Sequence, residues 1–166
     1  MSNIILVGFM GSGKTTIARI LSKEMNLQFV DTDKLVEKQE GLTIPEIFDK
    51  KGEGYFREIE RRIINSRLRF CDSCVIATGG GMPCFFDNME KLKSIGLVVW
   101  LDVDFEEIEK RIETSQDRPL FLNKDKAFEL FERRRQCYSK AHVRIDASRD
   151  KETVAEDIKK LIDWSF

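Results

Sequence analysis

An α/β fold built on a five-stranded parallel sheet is predicted by two features of the chain. Five short apolar segments, Ile4 to Val7, Leu27 to Val30, Val75 to Thr78, Leu97 to Leu101 and Val143 to Ile145, are separated by longer stretches of helical period. Strands that alternate with helices in this way form parallel sheets with helices on both faces, and they gather ligands at the carboxyl ends of the strands. The helices are expected at about 14 to 25, 33 to 40, 44 to 66, 84 to 94, 104 to 113, 124 to 140 and 150 to 163.

The first strand runs into Gly8-Phe9-Met10-Gly11-Ser12-Gly13-Lys14-Thr15, which satisfies the phosphate-loop pattern G-x-x-x-x-G-K-[ST] at every fixed position. The first helix then begins at the lysine. The glycines let backbone N–H groups turn inward on phosphate oxygens, and the helix adds the positive end of its dipole. Gly11, Ser12, Gly13, Lys14, Thr15 and Thr16 are therefore the expected contacts of a nucleoside triphosphate. Lys14 reaches the β and γ phosphates, and the Thr15 hydroxyl is a ligand for Mg²⁺.

Strand two leads into Asp31-Thr32-Asp33, where the period of two sets both carboxylates on one side, near the loop. Asp31 suits the metal, directly or through water. Asp33 suits the hydroxyl of an acceptor, which it would orient or deprotonate, and it is also a reasonable N-cap for the helix that follows. A second metal carboxylate is available in Asp102, at the end of an apolar strand in the Walker B manner. Strand three ends in Gly79-Gly80-Gly81, which lets a ligand approach backbone N–H groups closely, although a plain tight turn has the same composition.

In the helix after Asn123, the apolar stripe Ala127, Leu130, Phe131, Tyr138 and Ala141 is completed at helical spacing by Arg134, an inward arginine that requires an anionic partner. Arg133 and Arg135 fall about 100° to either side and are read as solvated. Arg57 borders the core face marked by Phe56, Ile59 and Ile63, with ion pairing on the helix surface as the alternative. The polar break from Glu113 to Pro119 suits a lid, from which Arg118 would swing over the phosphates, unless it is an ordinary loop arginine.

At 166 residues the chain is expected to be a single domain, 1–166. With 28 basic and 29 acidic residues intermixed, it offers no charged block for nucleic acid or an anionic membrane, so a small soluble ligand is the expected partner. The N-terminus enters strand-like sequence by Ile4 without a targeting pattern, and the expected setting is cytoplasmic. The four cysteines, Cys71, Cys74, Cys84 and Cys137, are then expected as reduced structural thiols. The single histidine, His142, is expected at a strand end and is insufficient for a Ser-His-Asp mechanism.

Taken together, the phosphate loop, D-T-D at Asp31 to Asp33, F-R-x-x-E at Phe56 to Glu60, the triple glycine, R-P-L at Arg118 to Leu120 and R-x-x-x-Y at Arg134 to Tyr138 resemble shikimate kinase over nearly the whole chain. The resemblance implies a three-layer P-loop kinase fold with a substrate-binding region at about 33–60 and a lid at about 112–123. It implies transfer of the ATP γ-phosphate to the 3-hydroxyl of shikimate, with one Mg²⁺ per subunit held by Thr15 and Asp31, in a monomer.

By matched position, Lys14, Asp33 and Arg118 would be catalytic. Asp33, Phe48, Arg57, Glu60, Gly79, Gly80, Gly81 and Arg134 would contact shikimate, with the two arginines on its carboxylate. Arg111 and Arg149 would lie near adenine. Two departures stand out: Phe121 follows R-P-L where the family often has leucine, and Asp102 is not a family metal ligand, which favours Asp31. The alternatives are another small-acceptor kinase of gluconate type and a nucleotide switch. Asn123-Lys124-Asp125-Lys126 comes near the guanine-reading N-K-x-D but lacks its last carboxylate.

Overall fold

The computed structural model describes residues 3–113 and 123–163. The strands are β1 (Asn3–Val7), β2 (Gln28–Asp31), β3 (Cys74–Ala77), β4 (Gly96–Asp102) and β5 (Val143–Asp146). They form one sheet in the order β2-β3-β1-β4-β5, with every neighbouring pair parallel. β1 is central and buried along its whole length, as expected of a strand covered on both faces. Its register, Ile4 beside Val75 on one side and Leu97 on the other, brings the ends of β1 and β3 level, so the phosphate loop and the triple glycine leave the sheet side by side.

The helices are α1 (Lys14–Met25), α2 (Thr32–Glu40), α3 (Ile44–Ser66), α4 (Asn88–Ile95), α5 (Phe105–Glu113), α6 (Lys124–Tyr138) and α7 (Lys151–Asp163). α1 packs on α7, and α3 packs on α2 and α4. α3 starts with a full capping box, in which the Thr43 side chain and Glu46 satisfy each other's backbone N–H groups. Two helical stretches meet within it at Gly52, whose φ of 84° and ψ of 166° are not helical. α4 begins later than expected because residues Met82–Cys84 form a short 3-10 turn first.

α2 begins one residue earlier than the sequence reading has it, because Asp31 and not Asp33 is its N-cap. Asp31 Oδ1 accepts from the backbone N–H of Asp33 at 3.0 Å and of Lys34 at 3.3 Å. Asp33 therefore sits in the first helical turn, where the dipole favours an acid. His142 immediately precedes β5, and its Nδ1 accepts the Val98 N–H at 3.0 Å.

A bond between Cys84 and Cys137 corrects the expectation of reduced thiols for that pair. The two stand 53 residues apart, and the fold brings their Cα atoms to 5.5 Å by laying α6 against the turn after the triple glycine. Cys71 and Cys74 are free, as expected. Among the described residues no helix is long and apolar enough to cross a membrane.

Asn3 is the buried polar link between the central strand and the segments entering its neighbours. Its Nδ2 donates to the carbonyls of Cys71 and Ile95, both at 3.0 Å, and its Oδ1 accepts from the Cys74 N–H at 3.0 Å. Asn3→Ala orphans all three groups and should cost about 3 kcal/mol of unfolding free energy, read from the urea midpoint at constant m-value.

Candidate active site

The site is a pair of adjoining cavities at the carboxyl ends of β1, β2 and β3. The first is lined by the phosphate loop (Gly11, Gly13, Lys14, Thr15 and Thr16), by Asp31, and by Arg111 and Lys151 from the far side. Gly13 caps α1 in the left-handed region, with φ 95°, a conformation that favours glycine. Lys14 Nζ crosses the loop to the carbonyls of Gly8 and Phe9. Arg111 is fixed by donation to the carbonyls of Gly11 and Ala147, both at 3.1 Å. Ser12 is buried inside the loop, and its Oγ has no partner among the described residues.

The second cavity measures roughly 590 Å³, a size suited to a small molecule. It is lined by charged groups, Asp33, Glu53, Arg57, Glu60, Arg133 and Arg134, together with the exposed Phe48 and the buried Phe56. Met10, Asp33, Gly79, Gly80 and Arg134 line both cavities. The two cavities thus adjoin at these residues.

The triple glycine organises this wall. A Cβ at Gly79 would stand 2.5 Å from Asp33 Oδ1, one at Gly80 would stand 3.2 Å from Arg134 Nη1, and one at Gly81 would stand 2.5 to 2.7 Å from three guanidinium atoms of Arg57. Gly81 has an ordinary backbone, φ −92° and ψ −15°, so its lack of a side chain provides room and no special conformation. The loop is tied on both sides. The Gly79 N–H donates to Thr32 Oγ1 at 2.9 Å, and the Tyr138 hydroxyl donates to the Gly80 carbonyl.

Arg57 is buried and not a surface ion-pair residue. Its Nη1 donates to Glu60 Oε1 at 2.7 Å, and its guanidinium stacks over Phe85 at 4.1 Å from the ring centroid. Cation–π contact and the carboxylate together fix the plane of the fork. Glu60 Oε2 is buried without a partner among the described residues, close to Gly79. Burial pushes the Glu60 carboxyl up to about 7 despite the pull of Arg57. Burial, reinforced by Asp31 and opposed by Lys14, likewise raises Asp33 above the ordinary carboxylate range.

Other expected residues divide. Arg135 is not solvated, since it pairs with Asp102 and lies over the Trp100 ring at 5.1 Å. Asp102 also accepts from Arg144 Nε at 2.6 Å. The Walker B-like carboxylate is thereby occupied as an anchor for α6 and does not line the phosphate cavity. Arg133 is exposed, as expected, and also lines the second cavity. Arg149 is turned to Asp157 at 2.8 Å, and the basic residue that lines the phosphate cavity from this segment is Lys151, which no motif marks. Asn123 caps α6 through Oδ1. Arg118 and most of the lid expected at about 112–123 lie outside the described residues.

A family model described as shikimate kinase matches residues 10–164. The shikimate kinase of Sulfurihydrogenibium sp. (strain YO3AOP1) is 44% identical over 163 residues, covering 98% of this chain and 96% of that protein. The crystal structure of shikimate kinase from Bacteroides thetaiotaomicron superposes with a TM-score of 0.90 at 32% identity, covering 98% of both chains. Shikimate kinase from Acinetobacter baumannii in complex with shikimate superposes equally well, TM-score 0.90 at 36% identity, over 98% of this chain and 93% of that one.

Glu60 makes stability depend on pH in a definite direction. The folded carboxyl keeps its proton to about 7, whereas its ordinary value is 4.5, so the folded state binds more protons in that window. The contribution is full below the ordinary value and is lost as pH rises through about 7. Chemical denaturation across that window should show stability falling with pH in the native chain and falling less in Glu60→Gln.

Proposed function

The chain belongs to the shikimate kinase family, and from that membership we propose that its paired cavities transfer the γ-phosphate of ATP to the 3-hydroxyl of shikimate. The product is shikimate 3-phosphate, on the route to chorismate and the aromatic amino acids. One observation carries the reading: Asp33, Gly79, Gly80 and Arg134 are common to both cavities, so an acceptor hydroxyl at Asp33 faces the end of a phosphate chain held by Lys14.

Shikimate is a monocarboxylate with hydroxyls, and the second cavity has the chemistry to hold it. The forks of Arg57 and Arg134 take its carboxylate, with Glu60 orienting Arg57, backbone at residues 79–81 against the ring, and Phe48 as outer wall. Asp33, more basic than an exposed carboxylate, aligns the attacking hydroxyl and accepts its proton. Lys14 spreads the charge of the moving phosphoryl group, and Arg118, assigned by its R-P-L motif, joins it when the lid at about 112–123 closes. Arg111 borders the nucleotide side.

Thr15 and Asp31 offer hard oxygen donors on the phosphate cavity, and Asp31 uses only Oδ1 to cap α2, so the pair suits one Mg²⁺ per subunit. When bound, the ion offsets phosphate charge. The scheme draws every group from one chain, in keeping with a monomer working in the cytoplasm.

ADP release from Mg-ATP should depend on shikimate and not on gluconate or nucleoside monophosphates; release with another acceptor alone would reassign the second cavity. Asp33→Asn should lower kcat by about 100-fold or more while ADP affinity stays near that of the native chain. Gly81→Ala should displace the Arg57 guanidinium and raise the KM for shikimate about tenfold, leaving the KM for ATP unchanged.

A further inference from the structure

We propose that Cys84 and Cys137 are a reversible thiol–disulfide exchange site that fixes or frees the two arginines of the acceptor cavity, with low-molecular-weight thiols and disulfides as its reaction partners. The inference rests on the reading of the second cavity as the acceptor site.

The bond joins the supports of the two guanidinium forks. Cys84 lies between two contacts of Arg57: its N–H donates to the Gly81 carbonyl at 3.0 Å, where the missing side chain makes room for the fork, and the next residue, Phe85, carries the fork on its ring. Cys137 lies three residues after Arg134 on α6, hence on the same helical face. It also precedes Tyr138, whose hydroxyl donates to the Gly80 carbonyl. Closing the bond therefore ties the frame of Arg57 to the frame of Arg134, and opening it leaves the Tyr138 hydrogen bond to hold the end of α6 on the glycine loop.

Each partner element is anchored without the bond. Arg135 pairs α6 with Asp102, Phe131 packs on Phe9 and Phe105, and Asn88 Nδ2 donates to the Met82 carbonyl of the 3-10 turn at 2.8 Å. Reduction thus loosens one junction and leaves the fold in place. Both cysteines are half-buried and line the cavity, so a small thiol that enters it reaches the sulfurs, whereas Cys74 is buried away from the cavity. In the oxidising direction one cysteine thiolate attacks a sulfur of a low-molecular-weight disulfide and displaces a thiolate, and the second cysteine then attacks the mixed disulfide and displaces the other. The pair loses two electrons and two protons, the small disulfide gains both and leaves as two thiols, and reduction is the reverse.

The test equilibrates the native chain across a series of ratios of reduced to oxidised glutathione, quenches by alkylation and assigns each cysteine by peptide mass, so that Cys71 and Cys74 are read separately. The Cys84–Cys137 pair should pass from dithiol to disulfide within the series. Isothermal titration should then give a shikimate Kd at least about fivefold lower for the oxidised chain, with the ADP Kd unchanged, and saturating shikimate should favour the disulfide by that same factor. Cys84→Ser and Cys137→Ser should each bind shikimate as the reduced native chain does, whatever the glutathione ratio. Equal shikimate affinity in the two redox forms, an equal shift in ADP affinity, or a pair that stays dithiol or disulfide across the whole series would each overturn the inference. A native chain that binds no shikimate in either form would instead overturn the reading of the cavity, and the peptide masses would still report whether the pair exchanges.

Discussion

Two guanidinium groups and a carboxylate converge on three consecutive residues, and they can do so only because residues 79–81 have no side chains. Each glycine leaves space for one partner: Gly79 for Asp33, Gly80 for Arg134 and Gly81 for Arg57. Those partners come from α2, α6 and α3, so the loop is the point at which three helices are brought to a common register. Thr32 and Tyr138 hold its backbone from two of those same helices. A loop without bulk lets side chains from distant parts of the chain line one cavity.

Charges drawn together in this way carry an electrostatic cost that the site uses. Burial raises both Asp33 and Glu60, and the arginines offset only part of that effect. The result is a cavity in which Asp33 and Glu60 are more basic than exposed carboxylates and the Arg57 guanidinium is aimed by stacking over Phe85 and Phe56. Such preorganisation places the free-energy cost in folding and leaves little to reorganise during the reaction.

What the sequence made legible was local. The phosphate loop, the five strands and the helix over 44–66 are written in short patterns of glycine, apolar period and capping residues, and the folded chain has them. The boundary at Asp31 was missed because two acids two residues apart are equally good caps, and only the backbone trace distinguishes them. Arg135 was misread for a different reason, since its partner Asp102 comes from a strand 33 residues earlier and ion pairing across such a distance leaves no periodic signal. The Cys84–Cys137 bond is of the same kind, and it sits against the reduced thiols that a cytoplasmic setting implies. Gly52 interrupts α3, although the sequence reading carries one helix over 44–66 straight across it.

The wall common to the two cavities makes their occupancies thermodynamically linked. Asp33 and Arg134 border both, so a charge introduced on one side changes the field on the other. Whatever factor the nucleotide applies to acceptor affinity, the acceptor applies to nucleotide affinity, because the two paths to the ternary complex must sum to the same free energy. An enzyme built on one such partition has no need of a separate regulatory site to make its substrates sense each other.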